Sequence, residues 1–398
     1  MRLSRRELLV LVLVFAASLP AVTARLYSSD EVEYFSYLRS LWFDRDVSFE
    51  NEYRYFYDNN IAQSEGFHET FLERETAAGR RVNYATMGCA ILWSPFYAVA
   101  DVSVRMARAL GSDVAADGYS KPYVAAVAYG SAFYGFAAIL LSIAAARRIT
   151  GASGALFSGI VVWLGTPILF YMYVAPPFSH ACSAFAVALF VTIWLHIRET
   201  WTVRGLIGLG FATALMAMVR EQDVFFAAGP ALDWSLALIV AQRERLRPER
   251  GAVGQSGAAR PPSESAWGWG PTRSDKCRPL AASQLVVSGV AGGLAAIVGY
   301  LPQLLAYTAL NGYPGPAAHV TRKMSWHAPH ALQVLGSPEH GFLVWTPLAI
   351  LAIAGLAALA TTKDPARRAV GICALVMIAF QAYVAGSVES WTVAGAFG

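Results

Sequence analysis

Long runs of apolar residues dominate the chain, and short polar connectors separate them. A helix needs roughly 20 apolar residues to cross the core of a bilayer. Helices are also the default spanning element, because they satisfy their own backbone hydrogen bonds in lipid. Runs of suitable length predict nine spanning helices, at about 7–25, 122–146, 153–173, 178–197, 205–219, 223–241, 283–310, 340–360 and 369–385. The pattern therefore predicts an all-α, polytopic membrane protein.

The composition agrees with this prediction. Hydrophobic residues make up 56% of the 398 residues and charged residues 15%, and the mean hydropathy is +0.43. A water-soluble fold cannot bury so much apolar surface. The net charge of +4 is spread over short connectors instead of one patch, which argues against a nucleic-acid partner. Cys89, Cys182, Cys277 and Cys373 match neither a zinc spacing nor a redox pair, so no disulfide framework is predicted.

The positive charges predict which connectors face the cytoplasm. Basic residues mark the connectors at 2–6, 147–148, 198–204, 243–279 and 363–368. All of them fall on one side only if the ambiguous stretch 87–110 lies in the membrane interface, which its Pro95, Asp101, Arg105 and Arg108 also favour. We therefore predict a cytoplasmic N-terminus and an outward-facing segment 26–121 with juxtamembrane helices. The stretch 243–279, rich in Arg, Gly, Pro and Ser, is predicted to be a flexible cytoplasmic linker.

The first apolar run allows two interpretations. Its basic start and the small residues of SLPAVTA resemble a cleaved signal peptide. Because many further spans follow, a retained first helix in the plasma (inner) membrane is the simpler interpretation. The residues that follow are exported in either case.

An acidic stretch, SSDEVEYFSY, follows the first apolar run. On a helix, one side would carry Asp30, Glu33, Tyr34 and Tyr37. Ser28 or Ser29 could cap its start. These residues fit a well-capped surface helix with no chemical role. A carboxylate at the membrane exit equally suits a general base for a reaction at the interface.

Several short blocks carry a resemblance to a known superfamily. They are SDEVEY, SLWFDRDVSFEN and YATMGCAILWSPFY near the start, and GTPILFYMYVAPPFSHACSAF, ALMAMVREQDVFFAAGP and EHGFLVWTPLAILAIAGL later. In this order they resemble the GT-C superfamily of polyprenyl-phosphate-sugar glycosyltransferases, in particular the branch with the protein O-mannosyltransferases and the lipid A aminoarabinose transferases.

The resemblance implies a single transmembrane domain over 1–398. Because family members commonly continue into further spans after a similar Trp and Gly block, it also implies a chain that is truncated at its C-terminus. It implies a polyprenyl-phosphate-linked sugar as donor, a lipid, glycan or protein as acceptor, and membrane lipids as surroundings. The acidic position of the family corresponds to Asp30, with Glu31 beside it, as the catalytic group that deprotonates or orients the acceptor.

The resemblance also implies cations for the donor phosphate. Arg80 and Arg81 are near the family's phosphate-binding position, although they would equally anchor the loop to lipid headgroups. Arg322 and Lys323 lie in the outward loop 311–339, whose family equivalent is mobile and becomes ordered around the donor. A loop that merely faces headgroups is the alternative.

Other polar residues have weaker assignments. Three are candidates for substrate binding: Tyr34, His180 and His327. His180 would equally cap the next helix. Arg220, Glu221 and Asp223 interrupt apolar sequence, where a mutual ion pair is the simple explanation and a role in a cavity is the other. The histidines of 311–339 match no tight zinc motif, so no metal ligands are assigned, and a divalent metal cofactor is left open.

These observations favour a membrane glycosyltransferase. The alternative class is a polytopic transporter or a flippase for a lipid-linked sugar, in which intramembrane charges mark a transit path. A noncatalytic membrane scaffold is a second alternative.

Overall fold

The structure is a computed structural model that describes residues 3–62, 64–151, 154–246, 281–339 and 341–389. Helix accounts for 74% of it, and these residues contain no strand beyond two isolated bridges. The prediction of an all-α fold is confirmed. Cys277 and most of the predicted linker 243–279 lie outside the described residues.

Sixteen α-helices follow one another along the described residues. They are α1 (Arg5–Ser18), α2 (Ser29–Arg39), α3 (Glu50–Asp58), α4 (Gly88–Ala109), α5 (Lys121–Thr150), α6 (Ala155–Gly165), α7 (Ile168–Tyr173), α8 (His180–Ile197), α9 (Val203–Val219), α10 (Ala228–Leu246), α11 (Ala282–Asn311), α12 (Ala318–Arg322), α13 (Ala331–Gly336), α14 (Phe342–Trp345), α15 (Leu348–Ala360) and α16 (Pro365–Ser387). A 3-10 turn, Glu221–Ala227, leads into α10.

Within the described chain, five helical segments are long and apolar enough to cross a membrane. They are Lys121–Thr150, His180–Ile197, Glu221–Arg243, Ala282–Asn311 and Pro365–Ser387. The apolar helices α6, α9 and α15 are shorter, and α1 has 14 residues. The chain thus has the helices of an integral membrane protein, but nine spans are not established. Helix α4 contains 22 residues and is not among the five.

Two predicted spans are interrupted at a proline. Between α6 and α7, Thr166 adopts an extended conformation before Pro167. Between α14 and α15, Thr346 leaves the helical region before Pro347. The ring of a proline disfavours a helical conformation of the residue before it. For this reason each apolar run, continuous in composition, forms two helices.

Helices α9 and α11 pack closely through small residues. A Cβ atom on Gly210 would lie 2.2 Å from the carbonyl oxygen of Gly292, and one on Gly299 would lie 2.8 Å from the Cβ atom of Ala214. Such contacts let helix backbones approach each other in a membrane. The contact positions increase together along both helices, so α9 and α11 run parallel and end on the same side.

The segment before α4 closes over these two helix ends. The hydroxyl of Thr86 donates to the carbonyl oxygen of Val219 at 3.0 Å, and the backbone N–H of Met87 donates to Oε1 of Gln303 at 2.9 Å. A Cβ atom on Gly88 would lie 2.4 Å from the backbone nitrogen of Val219. The first long loop is therefore fixed at this side of the bundle, which we call the α2 end.

Ion pairs mark the opposite end. Arg147 of α5 forms a two-pronged pair with Glu7 of α1. Arg198, just after α8, pairs in the same way with the buried Asp233 of α10, with nitrogen–oxygen distances of 2.9 and 3.1 Å. Trp194 also donates to Asp233, at 2.9 Å. These contacts connect the helices where the basic connectors were predicted.

Candidate functional site

Helix α2 begins with a complete capping box. The hydroxyl of Ser28 accepts from the backbone N–H of Glu31 at 3.3 Å. The carboxylate of Glu31 in turn accepts from the backbone N–H groups of Tyr27 and Ser28, at 2.9 and 3.0 Å. Glu31 is fully buried. Its carboxylate therefore satisfies the free N–H groups at the helix start.

Asp30, next to this cap, faces the other way. Its side chain is exposed to solvent, on the same face of α2 as Tyr34 one turn later. The protein atoms around it remove part of its hydration and thereby raise the pKa of Asp30 above its usual value, whereas the positive charge of Arg220 acts to lower it. Asp30 thus combines solvent access with a perturbed acidity, which suits a group that exchanges a proton with a substrate.

A cavity of about 470 Å³ opens at the α2 end, and we call it the Arg220 cavity. Its walls come from α2, the segment before α4, the turn after α9, the loop 311–339 and the end of α16. The lining residues are Tyr34, Tyr84, Thr86, Arg220, Glu221, Gln222, Phe225, Pro316, His319, Val320, Thr321, Lys323, Met324, Trp326, Val384 and Val388. Elements distant in sequence thus bring two cations, Arg220 and Lys323, to one cavity.

The acids beside Arg220 have other partners. Glu221 accepts from the hydroxyl of Tyr307 at 2.6 Å and from that of Tyr300 at 3.3 Å. Asp223 accepts from the hydroxyl of Ser183 at 2.6 Å. Within the described residues Arg220 has no ion pair, so the predicted mutual pair with Glu221 and Asp223 is wrong. Because neighbouring hydroxyl groups bind the two carboxylates, Arg220 is left to face the cavity.

His180 lies at the start of α8, close enough to Arg220 for an electrostatic interaction between the two side chains. Its ring stacks on that of Tyr171, with centroids 3.8 Å apart and planes 4° apart. The Nδ1 atom of His180 and the hydroxyl of Tyr171 are both buried without a hydrogen-bond partner among the described residues. The ring therefore packs on an aromatic face, and a role for His180 in substrate binding stays a prediction.

The loop 311–339 is attached to the end of α16. The carbonyl oxygen of Lys323 accepts from the backbone N–H of Glu389 at 2.8 Å, and the backbone N–H of Ser325 donates to the carbonyl oxygen of Ser387 at 2.6 Å. Lys323 is thereby held over the Arg220 cavity. His327 of the same loop is exposed and lines neither cavity at this end, so its predicted role in substrate binding has no support from this geometry.

A second cavity, of about 440 Å³, lies beside the first, and we call it the Arg74 cavity. Its lining residues are Arg74, Glu75, Thr76, Ala77, Val82, Tyr84, Asn311, Tyr313, Ala317, Ala318, His319 and Arg322. Tyr84 and His319 belong to both cavities, with their ring centroids 5.6 Å apart. The sequence did not indicate Arg74, because no local pattern shows that the segment around it contacts the end of α11.

Arg81 is engaged in contacts within the first loop. Its guanidinium lies 3.4 Å from the carboxylate of Glu75 and 3.5 Å from that of Glu50. It also donates to the carbonyl oxygen of Glu73 at 3.1 Å. Neither Arg80 nor Arg81 lines the two cavities. Their predicted contact with the donor phosphate therefore stays a prediction without support from this geometry.

Metal-ligating side chains do not gather in the part of the chain that the structure describes: no three His, Cys, Asp or Glu residues there form a group. The described cysteines Cys89, Cys182 and Cys373 are unpaired and buried. No family model, curated protein or solved structure matches this chain.

Proposed function

We propose that this chain is a glycosyltransferase of the plasma membrane that moves a sugar from a polyprenyl-phosphate donor to an acceptor outside the cytoplasm. In this proposal the N-terminus is cytoplasmic, and the α2 end, with its two cavities, faces outward. The proposal rests on the resemblance to the GT-C superfamily and, above all, on one observation. That observation is the pair of cations in the Arg220 cavity beside the face of α2 that carries Asp30.

The chemistry of the donor explains why two cations matter. The leaving group is a lipid phosphate, which gains negative charge as its bond to the sugar breaks. Positively charged hydrogen-bond donors that point at a developing negative charge stabilise the transition state. The guanidinium of an arginine can do this with two hydrogen bonds. Arg220 comes from the turn between α9 and α10, and Lys323 comes from the loop 311–339. A lipid phosphate at the membrane surface would meet both.

Asp30 is the general base in this proposal. The acceptor's nucleophilic atom attacks the anomeric carbon of the sugar while the bond from that carbon to the phosphate oxygen breaks. The electron pair of that bond goes to the phosphate, and the proton of the nucleophile goes to Asp30. Because the protein atoms around Asp30 remove part of its hydration and so raise its pKa, its carboxylate is a better base than an ordinary aspartate. Glu31 holds the helix start in our proposal and contributes by positioning Asp30.

The position of the charges favours this function over transport. Arg220, Glu221 and Asp223 lie where α9 ends and α10 begins, beside the first long loop. A transporter usually binds its substrate near the middle of the bilayer, at broken helices. A site at a helix end is the arrangement expected for an enzyme at the interface.

Binding of a polyprenyl monophosphate to the purified chain in detergent, measured by native mass spectrometry, tests the donor site. We expect Arg220→Gln and Lys323→Gln each to weaken binding by roughly tenfold or more, since a charge-assisted hydrogen bond contributes about 1.5–3 kcal/mol. Arg204→Gln and Lys363→Gln, both exposed and outside the cavity, are the matched controls and should bind normally. Equal binding by all four variants would overturn the assignment.

A further inference from the structure

The Arg74 cavity has a built-in excess of positive charge. Arg74 and Arg322 reach it from separate parts of the chain, and no ion pair among the described residues includes either of them. The Nε of Arg322 donates to the carbonyl oxygen of Ala318 at 3.2 Å, and its terminal nitrogens have no ion-pair partner among those residues. Glu75 is the one acid in its lining, and its carboxylate already lies 3.4 Å from Arg81. The two arginines are therefore available for an anion that enters the cavity.

The floor and walls of this cavity are fixed by contacts between distant segments. The hydroxyl of Thr76 donates to the carbonyl oxygen of Leu310 at 2.6 Å, which holds the segment after Arg74 against the end of α11. The backbone N–H of Tyr84 donates to the carboxylate of Glu33 at 2.6 Å. The cavity therefore has a defined shape, which loose surface arginines alone would not give.

The cavity also offers groups that suit a hydroxylated ring. Asn311 is 2% exposed, and its Oδ1 atom has no hydrogen-bond partner among the described residues. The hydroxyl of Tyr313 donates to the carbonyl oxygen of Pro316 at 2.7 Å, which fixes an exposed aromatic ring at the rim. An unsatisfied amide oxygen and an aromatic surface together favour a ligand that has both hydroxyl groups and C–H faces.

We propose that the Arg74 cavity is the acceptor subsite, and that it binds a carbohydrate carrying a phosphate or carboxylate group. This inference rests on the proposed glycosyltransferase function. The anionic group lies between Arg74 and Arg322, and the sugar ring lies against Tyr313. The wall of Tyr84 and His319 is shared with the Arg220 cavity, so the acceptor's nucleophile meets the donor sugar at this wall. Arg322 thus binds the acceptor, in contrast to the donor role that the sequence resemblance implied.

The electrostatics of the shared wall agree with this arrangement. Partial burial and the charges of Lys323, Arg74 and Arg322 lower the pKa of His319, in that order of effect. The imidazole of His319 thus interacts electrostatically with cations from both cavities. Two anionic ligands, the donor phosphate on one side and the acceptor's charged group on the other, would each be balanced by its own cations.

Binding of glucose 6-phosphate to the full chain in phosphatidylcholine nanodiscs, followed by saturation-transfer NMR, tests the subsite. Glucose, which lacks the phosphate group and is neutral, is the control ligand. We expect glucose 6-phosphate to bind at least tenfold more tightly than glucose, and the double variant Arg74→Gln, Arg322→Gln to lose this preference. Arg220→Gln, which alters only the donor cavity, should keep it. If the double variant binds glucose 6-phosphate as the unaltered chain does, the inference is overturned.

A second arm separates a carbohydrate from a lipid headgroup, which has the same phosphate chemistry. The measurement is repeated in nanodiscs that contain phosphatidylglycerol. Retained binding of glucose 6-phosphate supports the acceptor subsite, whereas its loss shows that headgroups occupy Arg74 and Arg322 and overturns the inference.

The same variants separate this inference from the proposed function. The double variant should still bind polyprenyl monophosphate. One outcome is that polyprenyl monophosphate binds neither the unaltered chain nor any variant, while binding of glucose 6-phosphate still requires the two arginines. In that case the glycosyltransferase proposal fails and the anionic carbohydrate site stands. If polyprenyl monophosphate binds normally and the arginines make no difference to glucose 6-phosphate, only the acceptor assignment fails.

Discussion

Arg322 and Lys323 are consecutive in the chain, yet Arg322 lines the Arg74 cavity and Lys323 lines the Arg220 cavity. The boundary between the cavities is formed by Tyr84 and His319. A short helical turn, α12, ends at Arg322, so the side chains of these neighbours leave it in different directions. In our proposal this one loop contacts the donor and the acceptor at once.

The dependence of sugar transfer on pH tests the link between Asp30 and Arg220. A general base acts only when it is unprotonated, so the turnover number falls as the pH drops through the pKa of Asp30. The partial loss of hydration raises this pKa, and the charge of Arg220 lowers it. Arg220→Gln removes the lowering effect, so the acid limb of the kcat profile should move to higher pH.

Because Arg220→Gln also weakens donor binding, kcat must be measured at saturating donor. Lys363→Gln, a charge change at the other end of the protein, should leave the acid limb in place. An unchanged acid limb in Arg220→Gln would show that Asp30 does not titrate as the base.

Hydrogen exchange of the loop 311–339 reports on donor binding. Backbone hydrogen bonds hold Lys323 and Ser325 to the end of α16, and the loop has few other attachments of this kind. A phosphate held by Lys323 would add a contact, so exchange in 317–326 should slow when a polyprenyl monophosphate is present. Exchange in α13, which lines neither cavity, should change less. Identical exchange with and without the lipid would contradict a donor-binding role for the loop.

The stability of the helix bundle depends on the buried pair of Arg198 and Asp233. Removing one member of such a pair leaves the other charge buried and alone, which costs about 3–5 kcal/mol. Asp233→Ala should therefore lower the thermal unfolding midpoint clearly. Glu199→Ala is the control, because the pair of Glu199 with Arg148 is mostly exposed and contributes about 0–1 kcal/mol. Equal midpoints for the two variants, measured by tryptophan fluorescence, would refute the structural importance of Asp233.

Cysteine labelling tests the orientation of the chain. With Cys277 replaced by serine, a single cysteine is introduced at Ala115 or at Ser256. A membrane-impermeant maleimide should label the Ala115→Cys protein in intact cells, and the Ser256→Cys protein only after the membrane is opened. Strong labelling of Ser256→Cys in intact cells would reverse the proposed orientation.

The sequence predicted the elements that depend on local signals. Apolar runs located α5, α8, α11 and α16 within a few residues. The sequence left Ser28 or Ser29 as the cap of α2, and Ser28 forms it. Length and composition alone did not reveal the helix breaks at Pro167 and Pro347, although the proline was visible in each run.

The two cavities depend on contacts that no sequence window contains. Thr76 meets Leu310, and Thr86 meets Val219, across more than 100 residues of chain. These contacts bring Arg74 and Arg220 to the same end of the bundle. The interpretation of Arg220 as a member of an ion pair failed for a related reason. The tyrosines and serine that bind the neighbouring acids come from α11 and α8, and only the folded arrangement shows them.

The most direct test of the central claim is sugar transfer by Asp30→Asn, measured as release of polyprenyl phosphate from a panel of polyprenyl-phosphate hexoses and pentoses. Loss of a general base should reduce turnover by roughly 100-fold to 10,000-fold. Expression and the unfolding midpoint should stay the same, because Asp30 is exposed and takes no part in the helix cap. Glu31→Gln should reduce turnover less. Near-normal transfer by Asp30→Asn, or a strong effect at Glu31 alone, would contradict the account.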